Sequence, residues 1–320
     1  MTTSITRRLV LGMAGAAMIA LGSSAAHAAD ATRIGFMIWN TSVPFYSNLI
    51  KTAEQTAKDL GVELNIQSGN GDLATQISVV QQFIAQDVDM ILIAPSDPQG
   101  IVPVIRQATA ANIPVMAVNT TAHTSTGAKL VTYVGVDDFV FGQRQGELLA
   151  QAVGDDAKVA YILGKLGTSA QLAREAGLMD TLKKHPGIQI IEKQAADWDN
   201  SKALAITQDF LSKYPKGEID AIVDQGPEGV NGAQFATESG RTDVKFILGD
   251  YPADVRNAII KGTVLGTVNQ DPAPQGKFAI EDAVKYLAGK TAEVPSPNHY
   301  LDLPIITKDN VEQHPAAWGG

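Results

Sequence analysis

The chain has 320 residues, of which 45% are hydrophobic and 18% charged, and its formal net charge is −9. This composition is typical of a well-packed globular protein, and the negative charge argues against nucleic acid or an anionic membrane as a partner. The absence of cysteine excludes disulfides, thiolate metal sites and thiol nucleophiles. The five histidines show no metal-ligand spacing, so no metal site is predicted.

Residues 1–28 have the pattern of a removable export signal. Arg7 and Arg8 supply positive charge, residues 9–21 form a short apolar run, and residues 26–28 resemble a small-residue cleavage site. The run is shorter than the ~20 residues that cross a bilayer. Thr6-Arg7-Arg8 also fits a twin-arginine signal, so two export routes stay open. We expect cleavage after Ala28 and a mature chain that diffuses freely in a bacterial periplasm.

From residue 32 onward, short apolar strands alternate with amphipathic helices. Strands are predicted at 33–39, 63–67, 90–94 and 115–118, with helices at 45–60, 72–86 and 100–111. Nearly continuous apolar strands are typical of a parallel sheet whose two faces are covered by helices. This rhythm predicts a doubly wound α/β architecture.

The rhythm then restarts in the second half of the chain. Strands are predicted at 158–163, 188–195, 221–224, 245–248 and 265–269, and helices near 170–184, 201–214, 230–238 and 253–261. The segments 82–92 and 209–223 are alike, which favours two similar lobes over one large sheet. Ligands of such sheets bind beyond the carboxyl ends of the strands, so two lobes facing each other with these ends would form a cleft.

Several polar and aromatic residues lie where these predicted strands end or the next helices begin. Each has an ordinary structural explanation, such as a cap, core packing or a surface ion pair. Together they suit a sugar or polyol, because aromatic faces cover C–H groups while amide, carboxylate and guanidinium groups bond hydroxyls. The candidates are Trp39, Phe45, Tyr46, Asn119, Arg174, Trp198, Asp250 and Gln270.

Motifs for other chemistries are weak. The sequence has no G-x-G-x-x-G, no phosphate loop and no G-x-S-x-G elbow, and we interpret the glycine-bearing segment 164–169 as a strand-to-helix turn. No pair of carboxylates can be assigned to one site from the sequence. We therefore predict no cofactor and no catalytic residue.

Six motifs in register resemble the ribose-binding-protein family, the periplasmic sugar receptors of ABC importers with a type I binding-protein fold. The resemblance covers essentially the whole mature chain. Its markers are Pro44-Phe45-Tyr46, residues 111–115 before Asn119, Gly167-Thr168-Ser169 with Arg174, residues 196–199, Leu248-Gly249-Asp250 and Gln270-Asp271-Pro272. It implies that Phe45, Tyr46 and Trp198 enclose a sugar ring, and that Arg174, Asp250 and Gln270 bind its hydroxyls.

The chain departs from the ribose-binding pattern in several places, so the resemblance implies a ligand other than ribose. Asn119-Thr120 stands where ribose binders have an Asp-Arg pair, and Trp39 occupies the place of a small residue. Val43, Ala94 and Gly226 stand where asparagine is expected. Arg174 and Asp250 are predicted to balance each other across the closed cleft, which favours a neutral ligand.

The resemblance also implies a hinge of three segments. Residues 31–136 with 270–298 would form the N-terminal lobe, and residues 137–269 with 299–320 the C-terminal lobe. The strand-like run 132–136 and the polar turn Asp137-Asp138 fit the first crossing. Closure about the hinge would bury a ligand between the lobes.

The implied function is that of a monomeric solute-binding protein, not an enzyme. It would capture a neutral sugar or polyol and deliver it to the membrane permease of an ABC importer. A sugar-sensing receptor for chemotaxis or for a sensor kinase would use the same closed lobes, and operon neighbours would discriminate between the two. A secreted sugar-processing enzyme is the third, less favoured hypothesis, because only Asp250 with Arg174 nearby could serve it.

Overall fold

The structure is a computed structural model that describes residues 31–123 and 128–319. The predicted export signal and its cleavage site lie outside the described residues. Within the described part of the chain, none of the helices combines the length and the apolar character needed to cross a membrane.

Strands and helices alternate along these residues, as the sequence predicts. The strands are β1 (Arg33–Ile38), β2 (Glu63–Ser68), β3 (Met90–Ile93), β4 (Val115–Val118), β5 (Tyr133–Gly135), β6 (Ala157–Leu163), β7 (Ile188–Ala195), β8 (Ala221–Asp224), β9 (Lys245–Gly249), β10 (Gly266–Val268), β11 (Asn298–Tyr300) and β12 (Ile305–Thr307). The helices are α1 (Pro44–Leu60), α2 (Leu73–Ala85), α3 (Val102–Ala110), α4 (Asp138–Val153), α5 (Ser169–Leu182), α6 (Asn200–Lys213), α7 (Val230–Glu238), α8 (Ala253–Lys261) and α9 (Pro272–Leu287).

The strands form two six-stranded sheets with the same order of strands. One sheet runs β11-β5-β4-β3-β1-β2 and the other β12-β10-β9-β8-β6-β7. The first is parallel throughout, whereas in the second β12 runs antiparallel to β10. We call each sheet with its helices the first and the second lobe. The predicted fold, two doubly wound parallel-sheet lobes, is confirmed.

Each sheet is buried on both faces. In β1, Phe36 and Met37 point to opposite faces and are fully buried in separate clusters. Tyr161 and Ile162 do the same in β6. Burying such a side chain contributes about 1.5–3 kcal/mol, so both faces stabilise the sheet and leave its strand ends to form loops.

The first crossing differs from the prediction of a polar turn. Asp137 caps α4 by accepting hydrogen bonds from the N–H groups of Phe139 and Val140, and Asp138 is the first residue of that helix and is buried. The predicted turn was wrong because an aspartate pair also begins helices: one side chain satisfies the free N–H groups of the first turn. Asp138 is thereby directed into the second lobe.

The third crossing lies later than the predicted boundary at residue 298. His299 pairs with Val134 and Tyr300 with Gly135, so both belong to the first sheet rather than to the C-terminal lobe. The parallel ladder between β11 and β5 continues to Tyr300, and the chain leaves the first sheet only after this residue. The other predicted lobe boundaries stay predictions.

Candidate functional site

A cavity of about 760 Å³ lies between the two sheets, at the carboxyl ends of their strands. Residues that follow β1, β4, β7, β8 and β9 line it, together with the first turns of α1 and α5. All eight predicted site residues lie on its wall: Trp39, Phe45, Tyr46, Asn119, Arg174, Trp198, Asp250 and Gln270. Their role in binding stays a prediction, but the structure brings them together.

The two lobes touch each other around this cavity. The N–H of Thr121 donates a hydrogen bond to Oγ of Ser169 at 3.0 Å, and Nζ of Lys165 donates to the carbonyl of Gly71 at 3.3 Å. Both bonds join a loop of the first lobe to the second lobe, one at the first residue of α5 and one in the loop before it. The structure therefore has the lobes closed on the cavity.

Aromatic side chains form the wall of the first lobe. Helix α1 begins at Pro44, which has no N–H to leave unpaired in the first turn, and this places Phe45 and Tyr46 at the rim. The ring of Tyr46 is 5.5 Å from that of Phe45 and 6.0 Å from that of Trp39. All three are buried, so they present a continuous apolar surface to the cavity.

A network of amides joins this wall to Gln270, which follows β10, and to Gln275 in α9. The hydroxyl of Tyr46 donates to Oδ1 of Asn119 at 2.7 Å, and Nδ2 of Asn119 donates to Oε1 of Gln270 at 3.3 Å and of Gln275 at 3.2 Å. Asn119 has a φ of +63°, in the left-handed region that asparagine tolerates better than most residues. Asn119 and Gln270 therefore reach the cavity as members of one buried polar network.

Asp250 repeats the backbone arrangement of Asn119 in the second lobe. Strands β4 and β9 hold equivalent places in the two sheets, and Asp250 follows β9 with a φ of +59°. The N–H of Asn119 donates to the carbonyl of Val134 at 2.9 Å, and that of Asp250 to the carbonyl of Val268 at 2.8 Å. The predicted duplication thus extends to two residues of the cavity wall.

Arg174 is the centre of the charged part of the site and is only 2% exposed. Its Nε donates to Oδ1 of Asp138 at 2.8 Å and its Nη1 to the carbonyl of Gln225 at 2.7 Å. Its guanidinium carbon lies 3.8 Å from the centre of the Phe141 ring, and Nη1 is 3.9 Å from Oδ1 of Asp250.

The predicted pair of Arg174 and Asp250 is present, but its placement across the cleft was wrong. Both belong to the second lobe, and the direct partner of Arg174 is Asp138. The pair of Arg174 and Asp138 forms because α4 and α5 pack closely at Gly142. A Cβ atom at that position would overlap the carbonyl oxygen of Arg174. The sequence did not indicate that contact, since Asp138 and Arg174 lie 36 residues apart in the chain.

Trp198 supplies the aromatic surface of the second lobe. Asp197 and Trp198 follow β7 with φ values of +55° and +62°. Asp199 then caps α6 by accepting a hydrogen bond from the N–H of Lys202. The indole lies against Gly164, where any Cβ atom would overlap it. The strained loop and the glycine together hold Trp198 over the cavity.

Two acidic residues at the site were missed by the sequence analysis. Asp224 ends β8, and Glu228, which lines the cavity, occupies the space that a side chain at Gly226 would take. Burial raises the pKa of Asp224 to about 8 and that of Glu228 well above its usual range. Burial therefore favours the protonated form of both carboxyls. Glu228 lies in the loop between β8 and α7, at the carboxyl end of the strand, and that position was the signal that could have found it.

Three buried polar atoms of cavity-lining residues have no hydrogen-bond partner. They are Nε1 of Trp39, Oε2 of Glu228 and Oδ1 of Asp250, on residues that are 7%, 8% and 6% exposed. Burial also raises the pKa of Asp250 to about 6, while Arg174 and Gln270 act in the opposite direction. An unpaired buried polar group costs about 1–3 kcal/mol, so a new hydrogen bond to any of these atoms would stabilise the site.

Among the described residues, no group of three or more histidine or acidic side chains is arranged to hold a metal ion. The residues that line the cavity offer aromatic surfaces, amides, hydroxyls, carboxyls and the guanidinium of Arg174. Such groups bind and orient a polar molecule by hydrogen bonds.

Comparison with known proteins identifies the family of the chain. The periplasmic binding protein domain matches residues 34–291. The xylitol-binding protein of Mycolicibacterium smegmatis is 29% identical over 315 residues, which cover 97% of this chain and 87% of that protein. The ribose import binding protein of Bacillus subtilis is 31% identical over 260 residues, or 81% of this chain and 83% of that protein.

A solved solute-binding protein of an ABC transporter from Mycobacterium smegmatis, with bound glycerol, has the same fold. It superposes with a TM-score of 0.80 at 29% identity, over 88% of this chain and 96% of that chain. These relatives are binding proteins and not enzymes, as the sequence analysis predicts for this chain. The chain belongs to the periplasmic binding protein family, in the group that includes the ribose-binding proteins.

Proposed function

We propose that this chain is a periplasmic solute-binding protein that captures a neutral sugar or polyol between its lobes and delivers it to an ABC importer. The observation that carries the proposal is the set of three unpartnered buried atoms, on Trp39, Glu228 and Asp250, around one cavity. A hydroxyl group can both accept from the indole N–H and donate to a carboxylate. A molecule with several hydroxyls therefore offers both kinds of partner that these residues lack.

The aromatic residues support a carbon skeleton with apolar C–H groups. Phe45 and Tyr46 come from the first lobe and Trp198 from the second, so a ligand between them is covered from both sides. Asn119, Arg174 and Gln270 then surround its hydroxyls. Aromatic surface with a few directed polar groups is the usual composition of a small-molecule site.

The charges favour a neutral ligand over an anion. Arg174 already lies between Asp138 and Asp250, at 2.8 Å and 3.9 Å. Glu228 and Asp224 are neutral when protonated and would repel an anion if they ionised. A phosphate or carboxylate on the ligand would thus meet more carboxyls than cations, and an uncompensated buried charge is strongly unfavourable.

The relatives support the same ligand class. Two are named as binding proteins for xylitol and ribose, and the solved structure holds glycerol. For this chain we propose export to the periplasm with cleavage after Ala28 and a monomeric state. We also propose the lobe ranges 31–136 with 270–300 and 137–269 with 301–320, in which the pairing of β11 sets the boundary after residue 300. The chain would then present its closed lobes to a membrane permease.

A thermal-shift screen against pentoses, hexoses, deoxysugars and polyols tests the ligand class. A ligand at 100 times its Kd stabilises the folded state by about 2.7 kcal/mol, so at least one neutral compound should raise the melting temperature. Calorimetry of that compound at low and high salt follows. Affinity should change little, because a neutral ligand has no charge to screen. A tenfold loss at high salt, or binding only by charged compounds, would contradict the proposal.

A further inference from the structure

The C-terminal tail, residues 311–319, lies beyond the part of the chain that matches the family domain. It is fastened to the second lobe beside the loop that carries Asp250. The hydroxyl of Tyr251 donates to the carbonyl of His314 at 3.1 Å, and the N–H of Ala317 donates to the carbonyl of Tyr251 at 2.9 Å. The N–H of Ala253 donates to the carbonyl of Trp318 at 2.9 Å. The tail therefore moves with the second lobe.

Trp318 reaches across the cleft from this anchored tail. Its ring is 5.5 Å from that of Phe45 at an interplanar angle of 89°, an edge-to-face contact. Phe45 belongs to α1 of the first lobe. Trp318 is only 8% exposed and lies in the same buried cluster as Phe45 and Tyr46. Trp318 and Gly319 also line the cavity.

We propose that the C-terminal tail is part of the ligand site, in which Trp318 forms one edge of the cavity and holds the lobes closed by packing on Phe45. The ligand part of this inference rests on the proposed function. The contact itself does not depend on which molecule binds, since both rings belong to the chain.

The physical argument concerns what happens when the lobes separate. Trp318 would stay with the second lobe and Phe45 with the first, so opening exposes two aromatic rings that are buried when the lobes are closed. An edge-to-face pair changes an equilibrium by about 2- to 10-fold beyond the effect of buried area. The tail should therefore favour the closed state by at least this factor and slow the release of a bound molecule.

The position of Trp318 also makes it a positioning residue. Phe45 packs on Tyr46, whose hydroxyl bonds Asn119. By fixing the ring of Phe45, Trp318 fixes the first-lobe wall that the ligand would contact. Loss of the indole should thus affect binding even though the eight residues predicted from the sequence are unchanged.

The distance between the lobes can be measured directly, because the chain has no cysteine of its own. Glu54→Cys in α1 and Lys216→Cys in the second lobe are exposed positions for a pair of spin labels. Distance distributions are recorded without ligand and with xylitol, for the labelled parent, Trp318→Ala and Trp318→Phe. Phe139→Ala is the matched control, since it removes an exposed aromatic ring of the second lobe outside the cavity.

We expect the ratio of short to long distances without ligand to fall about 2- to 10-fold in Trp318→Ala, and by less than twofold in Phe139→Ala. Trp318→Phe, which keeps an aromatic edge, should lie between them. If xylitol closes the parent, its half-saturating concentration should rise by a similar factor in Trp318→Ala. Circular dichroism and the urea midpoint establish that each variant is folded.

An unchanged distance ratio in Trp318→Ala would overturn the inference, as would a parent that shows no short-distance state with or without xylitol. An equal loss in Phe139→Ala would also overturn it, because the effect would then belong to any aromatic ring of the lobe. If xylitol leaves the parent distribution unchanged, that result counts against xylitol as a ligand, while the ligand-free ratio still decides the role of the tail.

Discussion

Replacing Asp224 by asparagine should remove part of the pH dependence of folding stability. The side chain is 1% exposed, its Oδ1 accepts from the N–H of Gly226 at 3.1 Å, and its Oδ2 has no partner. Burial raises the pKa of Asp224 to about 8, and the nearby Asp250 acts in the same direction. Asparagine keeps the accepting oxygen and cannot ionise.

The sign follows from comparing the folded with the unfolded chain. A carboxyl with a raised pKa stays protonated in the fold, while the unfolded chain loses that proton above its ordinary value of 3.8. Its stabilising contribution is therefore complete below pH 3.8 and is lost as the pH rises towards about 8. Each pH unit within this window lowers the free energy of unfolding by about 1.4 kcal/mol, so the step from pH 5 to 7 lowers it by ~3 kcal/mol.

Urea unfolding of the parent, Asp224→Asn and Asp209→Asn at pH 5, 6, 7 and 8 measures this difference. Asp209 is an exposed aspartate of α6 and serves as the control. The free energy of unfolding of the parent and of the control should fall in parallel as the pH rises. For Asp224→Asn it should fall less steeply, by the contribution of about one proton. Glu228, whose pKa is also raised, contributes the same sign in all three chains. Parallel slopes for all three would refute the reasoning.

Three further outcomes follow from the site. Trp198→Ala should weaken binding of the compound found in the thermal screen by ~2–4 kcal/mol in calorimetry; normal binding or an unfolded chain would show that the indole serves packing instead. Gly164→Ala should weaken binding as well, because the new Cβ displaces the retained indole; unaltered affinity would contradict this. Arg174→Met should lower the free energy of unfolding by about 3–5 kcal/mol, since Asp138 is left buried without its partner. Adding Asp138→Asn should recover part of that loss, and no recovery would argue against the pair.

The strands were the most predictable part of the fold. Strands β7 and β8 begin and end where the sequence analysis places them, because apolar β-branched runs bounded by turn residues have few alternatives. Helices α4 and α9 do not occur among the predicted elements. Their buried faces carry Gly142, Gln145 and Gly146 in α4, and Gln275 and Asp282 in α9. Such faces lack the apolar stripe that a periodicity argument requires.

The eight candidate residues meet at one cavity because positions after parallel strands all lie at the same edge of a sheet. Glu228 and Trp318 could not be placed in this way. Glu228 enters the cavity because Gly226 has no side chain in its path, and Trp318 does so because the tail pairs with the chain beside Tyr251. Both depend on contacts between distant segments, which local pattern does not encode.

The left-handed backbone at Asn119 and Asp250 limits how this cavity can evolve. Glycine, asparagine and aspartate adopt that conformation with little strain, whereas β-branched and bulky residues do not. The substitutions that cost least at either position therefore exchange an amide for a carboxylate or remove the side chain altogether. Descendants of this gene would acquire new ligands through the aromatic positions Trp39, Phe45 and Tyr46, whose backbone conformation sets no such restriction.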